Sequence, residues 1–103
     1  MSEPATVQID IPYEQIAEFC RRNWIRRMSL FGSVLREDFT SESDIDVLVE
    51  FEEGATPGLA FFGMGDDLEE ILGRKVDFLT AGWIHERILP GIRATAREVY
   101  AAA

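Results

Sequence analysis

A chain of 103 residues can bury one hydrophobic core but has no room for a second domain carrying its own substrate site, so residues 1–103 are expected to form one domain. Ten Lys and Arg against 19 Asp and Glu give a net charge of −9, which disfavours direct DNA or RNA binding, because that binding rests on cations neutralising phosphates. The same acidic balance suits a basic protein partner or divalent metals, and 47% apolar with 28% charged residues is an ordinary globular composition.

Residues 1–10 have no basic region followed by an apolar run, and no apolar stretch approaches the roughly 20 residues of a membrane span. No membrane association is expected, and a cytoplasmic location is. Tyr13, Ile16, Ala17 and Cys20 then fall at helical spacing, with Asp10 or Ile11 near the cap, Pro12 at a permitted first-turn position and Asn23 as a stop. Cys20, the one cysteine, has no disulfide partner within the chain and reads as a small buried hydrophobe.

Trp24 to Phe31 reads as a strand ending at Gly32, and Val34 to Asp38 as a short helical turn, followed by the polar loop Thr40 to Ser43. Asp44 to Phe51 reads as a second strand, with Val47, Val49 and Phe51 alternating with Asp46, Leu48 and Glu50. Thr56 fits an N-cap with Pro57 at the first helical position, and Phe61, Met64, Leu68, Ile71 and Leu72 form a stripe that ends at Gly73. Gly63 and Gly65 weaken the early part of that helix by about 1 kcal/mol each relative to Ala. The Phe61, Phe62 and Met64 group reads as core packing.

Lys75 to Thr80 reads as a third strand. Trp83 to Leu89 reads as a short helix stopped by Pro90, and the tail to Ala103 fits helix or strand. Alternating helices and strands, with a core expected on both sides of a small sheet, indicate an α/β or α+β domain. His85, the sole histidine, reads as a helix-surface residue, since zinc sites need several His or Cys ligands.

The chemistry is concentrated in FGSVLREDFTSESDIDVLVEF, residues 31–51. Asp is rare in strands, yet Asp44 and Asp46 open one, and residues two apart on a strand share a face. Two carboxylates that close repel unless a cation lies between them, and hard oxygen ligands are what Mg²⁺ takes. An isolated Asp-x-Asp is ordinarily a strand cap beside a solvated side chain. Two further features favour a site. Gly32-Ser33 stands at a strand end before a helical turn, where backbone N–H groups and a hydroxyl form an anion-binding concavity. Asp77, in KVDFLT, repeats the Asp-x-Leu pattern of Asp46, so that neighbouring strands would bring Asp44, Asp46 and Asp77 together. Three carboxylates suffice for the two metal ions of an in-line phosphoryl displacement.

Gly32-Ser33, then Ser43-Asp44-Ile45-Asp46, then Asp77 on a later strand, together resemble the signature of the DNA-polymerase-β-like nucleotidyltransferase superfamily, in particular the minimal nucleotidyltransferases of prokaryotic HEPN/MNT toxin–antitoxin pairs. The resemblance runs from about Ile11 to Asp77 and more weakly beyond. It implies a small mixed β-sheet flanked by helices, with Gly32 and Ser33 holding the nucleoside triphosphate. Asp44 and Asp46 would bind Mg²⁺, and Asp77 would bind the second ion and help deprotonate the acceptor hydroxyl. Arg36 falls where these proteins commonly have an arginine, suited to bidentate phosphate contact or to pairing with Glu37 or Asp38. Glu37 departs from the glycine many relatives carry there and adds negative charge beside the phosphate site.

The expected function is transfer of AMP from ATP, with two Mg²⁺, to a tyrosine hydroxyl of a cognate HEPN RNase toxin, this chain being the antitoxin. The rival from another class is an antitoxin that neutralises the toxin by binding alone, with a vestigial site; intact Gly32, Ser33 and all three aspartates weigh against it. Transfer to a small molecule such as an aminoglycoside, as in larger relatives, would need the added substrate domain they carry.

Overall fold

A computed structural model describes residues 9–36, 39–40, 42–55, 57–80, 82, 84 and 86–102. The expected helix is α1, Tyr13–Arg22, entered from Pro12 and closed by Asn23, whose side-chain amide donates to the Phe19 carbonyl at 2.8 Å. Strand β1, Ile25–Phe31, leads into a 3₁₀ turn at Gly32–Leu35, and β2, Ile45–Phe51, comes next. Helix α2, Ala60–Leu72, ends on Gly73, whose left-handed φ of 69° is the usual glycine stop. Strand β3, Val76–Thr80, helix α3, Leu89–Thr95, and strand β4, Arg97–Ala101, complete the order.

The four strands form one mixed sheet in the order β3-β2-β1-β4. β2 pairs with β3 in parallel and β1 is antiparallel to both β2 and β4. A parallel pair needs a crossover, and α2 supplies it. The core lies on the face that α1 and α2 cover: Ile16, Phe19 and Cys20 pack with Met28 and Leu30, Ile45, Val47 and Val49, and Met64 and Leu68. Phe78 of β3 closes it, edge-on to Phe19 and tilted against Phe61 at centroid separations of 6.3 and 5.1 Å. Cys20 is fully buried, and that burial pushes its thiol pKa up to about 12, as expected of an inert core residue.

Several expectations change. The second face is thinner than a core on both sides implies: it carries Arg27, Asp46, Glu50 and Asp77 around the buried Leu48 and Ser29, and α3 contributes no buried residue. Glu50 instead ties α3 to that face by pairing with Arg93 at 3.2 Å, and with Arg27 at 3.5 Å from the sheet. The helix expected to begin at Pro57 starts at Ala60, because Pro57, Gly58 and Leu59 head a tighter turn whose carbonyls accept from Ala60, Phe61 and Phe62. Thr56, its expected cap, lies outside the described residues. The helix expected at Trp83 to Leu89 does not form at Ile84 or at Glu86 to Ile88; Pro90 starts a helix rather than stopping one, since a first-turn N–H has no partner to lose. Trp83 and His85 are outside the described residues. Phe61 and Met64 are buried as expected, but Phe62 is 67% exposed. Among the described residues no helix is long and apolar enough to cross a membrane.

Candidate active site

Strand pairing brings the singled-out residues together at one end of the sheet. Asp46 is in register with Asp77 on β3 and with Phe31 on β1, the residue just before Gly32. Because Ile45 and Val47 face the core, Asp46 faces the opposite way, onto the second face of the sheet. Asp44 lies just outside the strand, which begins at Ile45 rather than at Asp44, and is exposed.

Gly32 has φ of 74°, and a Cβ built there would run into the Asp46 carboxylate. Glycine is therefore required twice, by backbone conformation and by the room Asp46 needs. The sequence suggested that Gly32 lets a phosphate approach; what it admits in this structure is a carboxylate. The Ser33 hydroxyl lies 3.4 Å from the Asp44 carbonyl as a donor, a weak bond that joins the Gly-Ser turn to the start of β2. The short turn closes with the Arg36 N–H on the Ser33 carbonyl at 2.9 Å.

The Asp46 carboxyl titrates above the usual carboxylate range. Partial burial is the largest cause, followed by the negative charges of Asp77 and Asp44, with Arg36 opposing and a hydrogen bond between the Asp46 and Asp77 carboxyls adding to the rise. Arg36 is thus close enough to act on Asp46 electrostatically. Glu37 and Asp38, its alternative partners, lie outside the described residues.

Among the described residues, no three carboxylates already enclose a metal position. The donor set nonetheless fits a hard divalent ion. Three carboxylates supply only oxygen, and the repulsion of Asp77 and Asp44, which adds to burial in raising the Asp46 pKa, is what a cation offsets.

Two contributors were not singled out from the sequence. Arg74 donates to the Thr40 carbonyl at 3.0 Å and stacks over the Phe39 ring at 4.6 Å, pinning the loop that delivers Asp44; Ser43, Asp44, Arg74 and Lys75 line a cleft of about 380 Å³. Glu69 of α2 accepts the Val76 N–H at 3.1 Å and so fixes the start of the strand bearing Asp77. For Arg74 the available signal was GRKVD itself, a cationic pair one residue removed from the aspartate.

The nucleotidyltransferase domain family model matches residues 13–99. Over 62 residues the chain is 44% identical to MJ1379 of Methanocaldococcus jannaschii, provisionally named a protein adenylyltransferase, spanning 59% of this chain and 62% of that one. It is 38% identical over 63 residues to the protein adenylyltransferase MntA of Thermococcus cleftensis, spanning 60% and 62% of the two chains. The chain thus covers somewhat over three fifths of these relatives' length. A solved structure provisionally described as a minimal nucleotidyltransferase superimposes with a TM-score of 0.69 at 33% identity, over 82% of this chain and 85% of that one. A toxin–antitoxin crystal structure with AMP-PNP shares the fold, with a TM-score of 0.72 at 18% identity over 89% and 75% of the chains.

Proposed function

The chain belongs to the nucleotidyltransferase domain family, and on that premise we propose that it is an antitoxin that transfers AMP from ATP to a tyrosine hydroxyl of a cognate HEPN toxin. The observation that carries the reading is the meeting of Asp46 with Asp77 in register and with Gly32 in contact, three residues that are distant in sequence. Relatives named as protein adenylyltransferases support a protein acceptor, and the described tri-AMPylated Shewanella oneidensis HEPN toxin in complex with its MNT antitoxin supports this type of partner.

In the proposed reaction the acceptor oxygen attacks the α-phosphorus of ATP, the bond from that phosphorus to the bridging oxygen breaks, and pyrophosphate leaves. The Gly32-Ser33 turn and Arg36 bind the triphosphate, Arg36 by charge-assisted hydrogen bonds. Asp77 accepts the acceptor proton, a role worth typically 10²–10⁴-fold. Asp44, Asp46 and Asp77 would hold two Mg²⁺, which supply charge stabilisation to the attacking and leaving oxygens. A cytoplasmic reaction is part of the same proposal.

The test is to mix the purified chain with the HEPN protein encoded beside it, ATP and Mg²⁺, and to look for AMP-sized mass increments on a tyrosine. Adduct formation that disappears with Asp44→Ala and Asp46→Ala together is the expected result. No adduct, or an undiminished one with the double variant, overturns the reading, and suppression of RNase activity without ATP by that variant establishes neutralisation by binding alone.

A further inference from the structure

The end of the sheet away from the aspartates carries features that the proposed chemistry leaves unexplained. Trp24 has φ of 54°, the one positive value at a non-glycine position among the described residues, and is 61% exposed. A bulky residue held left-handed costs roughly 1–2 kcal/mol, a cost that Gly or Asn would avoid. Trp24 borders a cleft of about 480 Å³ whose other wall is α2, with Pro57, Ala60 and Met64 lining it. Outward on the same helix Leu59 is 87% and Phe62 67% exposed. Between them and Met64 on the helix surface stands Gly63, where a Cβ would meet nothing, so no contact among the described residues accounts for a glycine in a helix interior.

Exposed Arg22 and Arg26 flank Trp24, but the charge lining the cleft itself, among the described residues, is of one sign. Residues 51–72 contain Glu52, Glu53, Asp66, Asp67, Glu69 and Glu70 and no Lys or Arg, and Glu52 and Glu53 line the cleft beside Trp24. Exposed aromatic and aliphatic side chains, a helix surface smoothed by glycine and an acidic rim are complementary to an amphipathic helix with an apolar stripe flanked by Lys or Arg.

We propose that Trp24 and the outward face of α2 form a recruitment surface for a basic amphipathic helix on the protein that carries the acceptor hydroxyl. This rests on the protein-acceptor reading above. β2 runs seven residues between the two ends, about 20 Å, so the partner is held without covering the aspartates. The surface sets affinity for the acceptor and leaves the chemical step alone. Strain at Trp24 is retained because the ring anchors the partner.

The experiment uses the HEPN protein of the transfer assay and measures its affinity for the full chain by calorimetry, alongside KM and kcat for AMP transfer. Glu52→Lys with Glu53→Lys, and separately Leu59→Asp with Phe62→Ser, should each weaken the complex at least tenfold and raise KM alike. kcat at saturating acceptor and AMP-PNP affinity should stay within twofold of wild type. All four side chains are exposed. Trp24→Asn should lose affinity while its melting temperature stays level or rises, which a purely structural tryptophan would not allow.

Affinities within twofold of wild type overturn the proposal, as do variants that change only the chain's self-association in sedimentation, and so does failure of the wild-type chain to bind the HEPN protein. A complex that depends on these residues but transfers no AMP leaves the recruitment surface standing and removes the transfer reading.

Discussion

Ile45, Val47 and Val49 of β2 face the helices and are fully buried, whereas Asp46 and Glu50, one step out of phase on the same strand, face the other way with only α3 beside them. The first set gains stability from leaving water. The second holds charges: Glu50 is met by Arg27 and Arg93, whereas Asp46 is disfavoured as an anion by burial and by two further aspartates. A period of two lets one strand serve both purposes, since neither set can be exchanged for the other without turning the strand over. The main apolar core therefore lies on one side, and the cost of the site falls on the other, where Leu48 is buried beside it.

The contrast breaks most sharply on the core side. Leu30, fully buried opposite Val47, has no route to water, and Leu30→Ala should cost about 2–5 kcal/mol in urea unfolding. That is a large share of the stability of a domain this size. Ligand binding per folded molecule should be unchanged. A loss below about 1 kcal/mol would mean that this face is not the tight core described. At the boundary between the faces, Gly32→Ala should cost roughly 1–3 kcal/mol from backbone strain and should also push the Asp46 carboxylate aside. AMP transfer should then fall by a far larger factor than the folded fraction does. Proportionate losses of activity and folded protein would mean that Gly32 serves the fold alone.

The strands were legible where one face alone is buried. The alternation in DIDVLVEF identified β2, and the pattern it shares with KVDFLT anticipated the pairing that puts Asp46 beside Asp77. Reading was harder where local rules admit two outcomes. Pro90 equally well ends a helix before it or begins one, and only the packing of residues 91–101 decides. β4 has one buried residue, Val99, and pairs along one edge, so its periodic signal is slight. The Gly32 contact with Asp46 and the Arg74 contact with Thr40 join positions 14 and 34 residues apart, which no local pattern encodes. The left-handed Trp24 is invisible for a related reason, since the side chain there disfavours the conformation it adopts.

The smallest effect tests the cost of the site directly. Because the folded state raises the Asp46 pKa above its unfolded value, the protonated form is favoured by folding and the ionised form is penalised. The penalty is absent below the unfolded carboxylate pKa of about 3.9, grows as pH rises through the interval up to the folded value, and is fully present at neutral pH. Asp46→Asn keeps the shape and removes the charge. It should therefore raise the melting temperature at pH 7 without added metal. That difference should shrink towards zero as pH is lowered to about 4. Adding Mg²⁺ at pH 7 should stabilise the wild type more than the variant, narrowing the gap from the other direction. A variant less stable than wild type at pH 7 in metal-free buffer would mean that Asp46 makes a net favourable contact as an anion, and the division of labour between the two faces of β2 would not hold.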